Sequence, residues 1–256
     1  MVVEVRHAAC EPLERAQVTQ LSTLVRDEFP LPGEINELSV ELQAIPGAPP
    51  TQYQKVATFP RWTTRNRRTA LTVRQNSLTI ETTQYGSYER VRALLKLALQ
   101  ARIAVDPPPG VERIGLRYID EIRVPAESED GRPSWGDWVD PTLLGPVDIG
   151  PKLSLVPTAG EGVIVFSNTD NRALVLRYGA QEDLAVQSTP DLRRPMPPPG
   201  PLFKFDIDSY WQSGDEIPEF TTDYILAQSD DLHRPVRGVF ESLISDRLRE
   251  EVLRHG

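Results

Sequence analysis

The chain has 256 residues, 28 basic against 37 acidic side chains and a net charge of -9. That length fills one large domain or two small ones. The acidic balance speaks against binding nucleic acid by overall charge, because phosphate neutralisation needs a basic face. No apolar run reaches the length of a membrane span. The single cysteine, Cys10, excludes an internal disulfide framework and a multi-cysteine metal site. The first ten residues, MVVEVRHAAC, lack the basic start and apolar core of a signal peptide, so the expected location is the cytoplasm.

Taken in order, residues 2–6 read as a short strand. Leu13, Ala16, Leu21, Leu24, Val25 and Phe29 then recur at helical spacing, and Pro30, Pro32 and Gly33 close that helix. Alternation predicts strands at 38–42, 53–62, 69–75 and 78–84, with turns at 47–50 and at Asn76-Ser77. Gly86 and Ser87 introduce a second helix with a stripe of Tyr88, Val91, Leu94, Leu95 and Ala98.

After the run Pro107-Pro108-Pro109-Gly110, the stretch VERIGLRYIDEIRVP alternates. Ile114, Leu116 and Tyr118 fall on one face; Arg113, Gly115, Arg117 and Ile119 fall on the other. A short helix or long loop is expected over 135–144, and strands over 152–157, 162–168, 173–178 and 202–210. The proline-rich run 194–201 reads as an extended connector. A last helix is expected from Asp230 or Asp231, with Pro235 in its first turn.

The order in each half is then β-α-β4-α, which predicts an α+β protein built from two related halves, 1–106 and 107–256. Each would contribute antiparallel strands under a long amphipathic helix. The arrangement is analogous to the helix-grip halves of TATA-binding-protein-like repeats, and the analogy carries no function. Leu71, Val73, Leu78, Ile80, Leu174, Leu176, Phe203, Phe205 and Ile207 should pack beneath the helices.

The opposite face collects the first candidate site: Glu81, Arg113, Arg117, Asp120, Glu121, Arg177, Asp206 and Asp208. It reads either as a groove for an anionic or peptide ligand, with paired carboxylates, or as a cross-strand ion-pair ladder, which is the commoner use of such residues. A second candidate is Arg61, Arg65, Arg67 and Arg68 around Trp62, a pattern that grips phosphates or an acidic partner when it is exposed on one patch. Trp135, Trp138 and Trp211 lie in loop-like segments, where tryptophan marks either a partner surface or a loop folded onto the core. The histidines, His7, His233 and His255, have no metal-ligand spacing. There is no GxSxG, Walker or GxGxxG motif, so no catalytic residue, metal or cofactor is assigned.

The run GLRYIDEI, the strand IETTQY before a helix, and FDID followed by LHRPVRGVFESLISDRLRE together resemble a sporadically distributed bacterial family of uncharacterised proteins. Its members carry a similar mid-chain GLRYI(D/N) signature. The resemblance covers most of the chain and implies no activity; a patchy distribution implies mobile-element or defence cargo. The expected function is a binding or adaptor protein for a protein or peptide partner, or a homo-oligomer, with nucleic acid less favoured and no membrane. Tyr118, in the signature, joins the partner-binding candidates. The alternatives are a metal-assisted or nucleic-acid-processing enzyme using the carboxylate and arginine face, and a small-ligand sensor.

Overall fold

The computed structural model describes residues 1–43, 51–125, 133–155, 160–168 and 170–253. Its first part runs β1 (Val2–His7), α1 (Arg15–Val25), β2 (Leu31–Gln43), β3 (Thr51–Thr63), β4 (Thr69–Val73), β5 (Ser77–Thr82) and α2 (Tyr88–Val105). Its second runs β6 (Val111–Ile122), three short 3-10 turns between Trp135 and Asp148, α3 (Ile149–Lys152), β7 (Gly162–Ser167), β8 (Arg172–Gln181), β9 (Leu202–Gln212), α4 (Thr222–Leu243) and α5 (Asp246–Leu248).

Among the described residues the nine strands form one sheet, in the order β2-β3-β4-β5-β1-β6-β9-β8-β7, and every pairing is antiparallel. The boundary expected at residue 106 falls between α2 and β6. Strands from both sides of it join directly, β1 against β6.

Strict alternation gives the sheet two unlike faces. Val3, Val5, Leu71, Leu78, Ile80, Ile114, Leu116, Phe205 and Ile207 share one core with Leu21 and Val25 of α1, Leu94 and Leu95 of α2, and Ile225, Leu232 and Val236 of α4. Each such side chain contributes roughly 1.5–3 kcal/mol by leaving water. The helices start where hydroxyls satisfy their first amides: Ser87 Oγ accepts from the Arg90 amide and Thr221 Oγ1 from the Tyr224 amide. The face away from this core carries the arginines and carboxylates.

The expected elements need three corrections. Residues 152–155, expected to open a strand, instead end α3 and turn, while 156 and 157 lie outside the described residues. Among the described residues the second part therefore has three strands after β6, not four. The last helix begins at Thr222 rather than near Asp230, so Pro235 lies inside it and forgoes the bond to the carbonyl one turn earlier. β2 begins at Leu31, so Pro32 and Gly33 start a strand on the rim of the sheet, where a proline costs no ladder bond. The segment 135–144, expected as a short helix or a loop, holds two short 3-10 turns, the second capped by the Asp140 carboxylate. The turn expected at 47–50 lies outside the described residues. No helix among the described residues is long and apolar enough to cross a membrane.

Candidate functional site

On the helix-free face the strand register sets arginine beside carboxylate. Arg117 holds Asp206 with two bonds, 2.7 and 2.6 Å. Arg113 reaches Asp208 and Glu4, both at 3.2 Å, with its guanidinium 4.5 Å from the centre of the Tyr210 ring. Arg61 is buried and donates to Glu81 at 2.6 Å and Thr72 at 2.8 Å. Arg177 lies opposite Asp206 in the β8–β9 register and adds to the positive field at Asp208. Burial pushes the Asp208 carboxyl up, against the pull of Arg113 and Arg117.

This is an ion-pair ladder that fixes register. Asp206 is 4% exposed and fully engaged by Arg117. Among the described residues no group of three His, Cys, Asp or Glu side chains is placed to hold a metal.

Asp120 does not belong to this face. Its even position on β6 puts it with Tyr118 towards the helices, beside the Met1 amine, and burial raises its carboxyl above the usual range. Tyr118 heads a cluster between the sheet, α2 and α4. Its hydroxyl lies 2.8 Å from His233 Nδ1, and the Tyr85 ring meets it edge-on at 5.4 Å. Tyr88 stacks on the His233 ring at 3.9 Å and donates to Asp230 at 2.9 Å. Arg92 grips the same carboxylate with two bonds, 2.7 and 2.9 Å, and holds it below the usual range. Burial lowers the His233 pKa. The sequence places these residues far apart, and only Tyr118 was singled out from it.

The arginines of the β3–β4 hairpin disperse instead of forming a patch. Trp62 is buried on the helix face and donates from Nε1 to Ser22 Oγ at 2.7 Å, which ties β3 to α1. Arg65 is exposed. Arg68 donates to Gln84. Arg67 donates to the Pro190 carbonyl at 3.1 Å, and its own carbonyl accepts from the Arg193 amide at 2.6 Å.

These last bonds anchor a strap, residues 182–200, that leaves β8, crosses the end of the sheet and returns to β9. Glu121 is its central fastening. The carboxylate accepts from the Ala185 amide (2.8 Å), the Val186 amide (3.0 Å) and both terminal nitrogens of Arg194 (2.8 Å each). Burial works against this charge, but Arg194, Val186 and Ala185 together outweigh it and hold the carboxyl below its usual range. Beneath the strap lies a cleft of about 360 Å³ bordered by Thr83, Tyr85, Ile119, Arg123, Arg194 and Pro195.

The tryptophans fold inward. Trp135 packs on Phe203 at 5.4 Å, Trp138 is fully buried under the Arg247 guanidinium, and Trp211 meets the Tyr224 ring edge-on. Neither Trp62 nor Trp135 therefore offers an exposed aromatic anchor.

The surface that sequence reasoning missed is the far rim. Val163, Ile164, Val165 and Phe166 of β7 are 61, 39, 61 and 49% exposed. Among the described residues the strand has a free edge, and both its faces are apolar. Its signal was present in Gly-Val-Ile-Val-Phe-Ser, an apolar run without polar alternation, which reads as a strand meant to be covered on both faces.

No family model, no curated protein and no solved structure matches this chain.

Proposed function

We propose that this is a protein-binding protein whose docking element is the β7 edge, completed by a strand from a partner. The bare apolar rim carries this reading. Natural sheets protect an edge with charge, proline or a bulge. Between Gly162 and Ser167 β7 has none of these. Strand addition supplies main-chain hydrogen bonds along the edge and pockets for alternate side chains. The arginine face supports the same reading by exclusion: its guanidinium groups are largely matched by carboxylates within the sheet, which leaves little positive charge for phosphates.

We also infer that the two parts repeat one unit. In the sheet order, β1-β5-β4-β3 runs outward on one side as β6-β9-β8-β7 does on the other. In this correspondence α2 matches α4, β2 has no counterpart, and the 3-10 turns stand where α1 would be. The rim at β7 is bare where β3, its counterpart, is covered by β2.

The test is capture of partners from the native host with the wild-type chain and with Val163→Pro. A stoichiometric protein partner that is lost in the variant supports the reading. Retention of that partner by the variant, or recovery of nucleic acid whose binding falls steeply with salt, rejects it.

A second reading has one observation behind it. The cleft beneath the strap has the volume of a small-molecule site, roughly 300–1,000 Å³, and a mixed polar and apolar border. A ligand there would join the strap to the sheet, and binding would slow proteolysis of residues 182–200.

A further inference from the structure

We infer that the strand completing β7 is the β7 of a second copy of this chain, in a two-fold dimer with a continuous sheet. The inference rests on the reading of β7 as the docking edge and names its occupant.

Hydrogen bonding decides which groups the edge offers. The Gly160 amide donates to the Ala180 carbonyl and the Asn168 amide to the Arg172 carbonyl. In an antiparallel ladder the bonded positions alternate. Gly162, Ile164 and Phe166 therefore bond inward to β8. Val163, Val165 and Ser167 turn their amides and carbonyls outward.

Symmetry then decides what fits them. A two-fold axis perpendicular to the sheet makes the two edges antiparallel and keeps like faces together. Residues opposite each other must share parity. With the axis at Val165, Val165 meets its own copy and Val163 meets Ser167, all with outward-facing groups. Every outward amide then has a carbonyl opposite. On the helix face Ile164 meets Phe166 of the other copy, and the two exposed pairs cover each other.

Charge permits the pairing despite the net -9. Strands β7 and β8 contain no carboxylate between Gly162 and Ser167 or between Arg172 and Gln181. Glu161, just before β7, is taken by Lys204 at 2.6 Å. The opposite rim is a poor acceptor, because β2 presents Pro32 and the exposed Glu34, and a β7-to-β2 contact would not close. Roughly half-exposed Val, Ile and Phe side chains offer on the order of 100 Å² each, or about 800 Å² over both copies, which with the main-chain edge approaches the ~1,000 Å² at which specific interfaces begin. The dimer should accordingly be concentration-dependent.

Sedimentation velocity across the micromolar range tests this with four chains: wild type, Val165→Pro, Val165→Lys and Val165→Glu. The Val165 amide faces outward, so proline removes an edge donor without breaking the β8 ladder. At dilution, where no dimer forms, an unchanged circular dichroism spectrum and melting curve check that the monomer is intact. The expected result is a wild-type dimer that grows with concentration and a monomeric proline variant. The Lys and Glu variants should each be monomeric alone and should dimerise when mixed, since position 165 lies at the axis. A wild type that stays monomeric throughout, or a dimer that survives Val165→Pro, overturns the inference. A monomeric wild type that still loses a host partner in Val163→Pro would reject the second copy alone and leave the docking edge standing.

Discussion

Strands β6 and β7 belong to the same sheet and are used in opposite ways. β6 lies in the middle and has both faces occupied: Ile114, Leu116 and Tyr118 under the helices, Arg113, Arg117 and Glu121 in ion pairs on the other side. β7 lies at the rim, is half as long, and among the described residues its Val163, Ile164, Val165 and Phe166 are only partly covered. In β6, polar side chains alternate with apolar ones because each face has a different neighbour. In β7 the residues on both faces are apolar, though the described residues of the monomer cover them only in part. A strand that spends hydrophobic side chains on solvent is destabilising as an edge unless something covers it.

The sharpest way to break this contrast is at its buried end. Leu116→Ala should destabilise the protein by about 2–5 kcal/mol, the range for a Leu truncated in a packed core, read from chemical denaturation. A cost near zero would mean that the centre of the sheet is not packed as described. Next comes the strap fastened to β6. Glu121→Gln leaves the Arg194 guanidinium, itself largely buried, without its counter-charge, and should cost about 3 kcal/mol, at the low end for breaking a buried pair. Proteolysis should speed up within residues 182–200. The same bond sets an acid limit. The Glu121 carboxyl is held below its unfolded range, so its stabilisation is complete above that range and is lost as the pH falls through the lowered folded value. The strap should loosen in acid before the sheet melts.

The face of each strand residue was legible in the sequence, because alternation is local and survives folding. Leu71, Val73, Phe205 and Ile207 pack under the helices as their spacing predicts, and Arg113, Arg117 and Asp208 face the other way. The same rule, applied further, would have separated two candidate groups. Arg61 and Trp62 are adjacent on a strand and cannot share a face. Nor can Asp120 and Glu121. What was not legible depends on tertiary partners. The strap pairs Arg193 with Arg67 and Arg194 with Glu121 across more than seventy residues. The Tyr118–His233 contact joins the middle strand to a helix whose start was hidden, since Pro235 reads as a first-turn residue and Thr221, the actual cap, sits in an unremarkable polar stretch.

That contact gives a smaller test of the middle of the molecule. Removing the hydroxyl by Tyr118→Phe should cost about 1 kcal/mol, the usual net worth of one hydrogen bond. Burial already lowers the His233 pKa, so folding favours the neutral ring. This contribution is full above the ordinary histidine value of about 6.5 and declines as the pH falls from there through the folded value. Without the Tyr118 donor the neutral ring loses support, and the His233 titration followed by NMR should move upward. A downward movement would show that the imidazole donates and Tyr118 accepts.

The smallest expected effect is at the rim, and it tests the comparison directly. Phe166 is the same size as Phe203 and Phe205 in the core of β9, yet about half of it is in solvent. At dilution, where a two-copy interface is not formed, Phe166→Ala should change stability by no more than about 0.5 kcal/mol, as expected of a surface position. Phe205→Ala, two strands inward on the same face, should cost about 3–5 kcal/mol. The stability of Phe166→Ala should then diverge from wild type as concentration rises, because only the wild type gains free energy from association. A loss of several kcal/mol already present at dilution would place Phe166 in the monomer's own core. The apolar rim would then be structural, and β7 would need no partner.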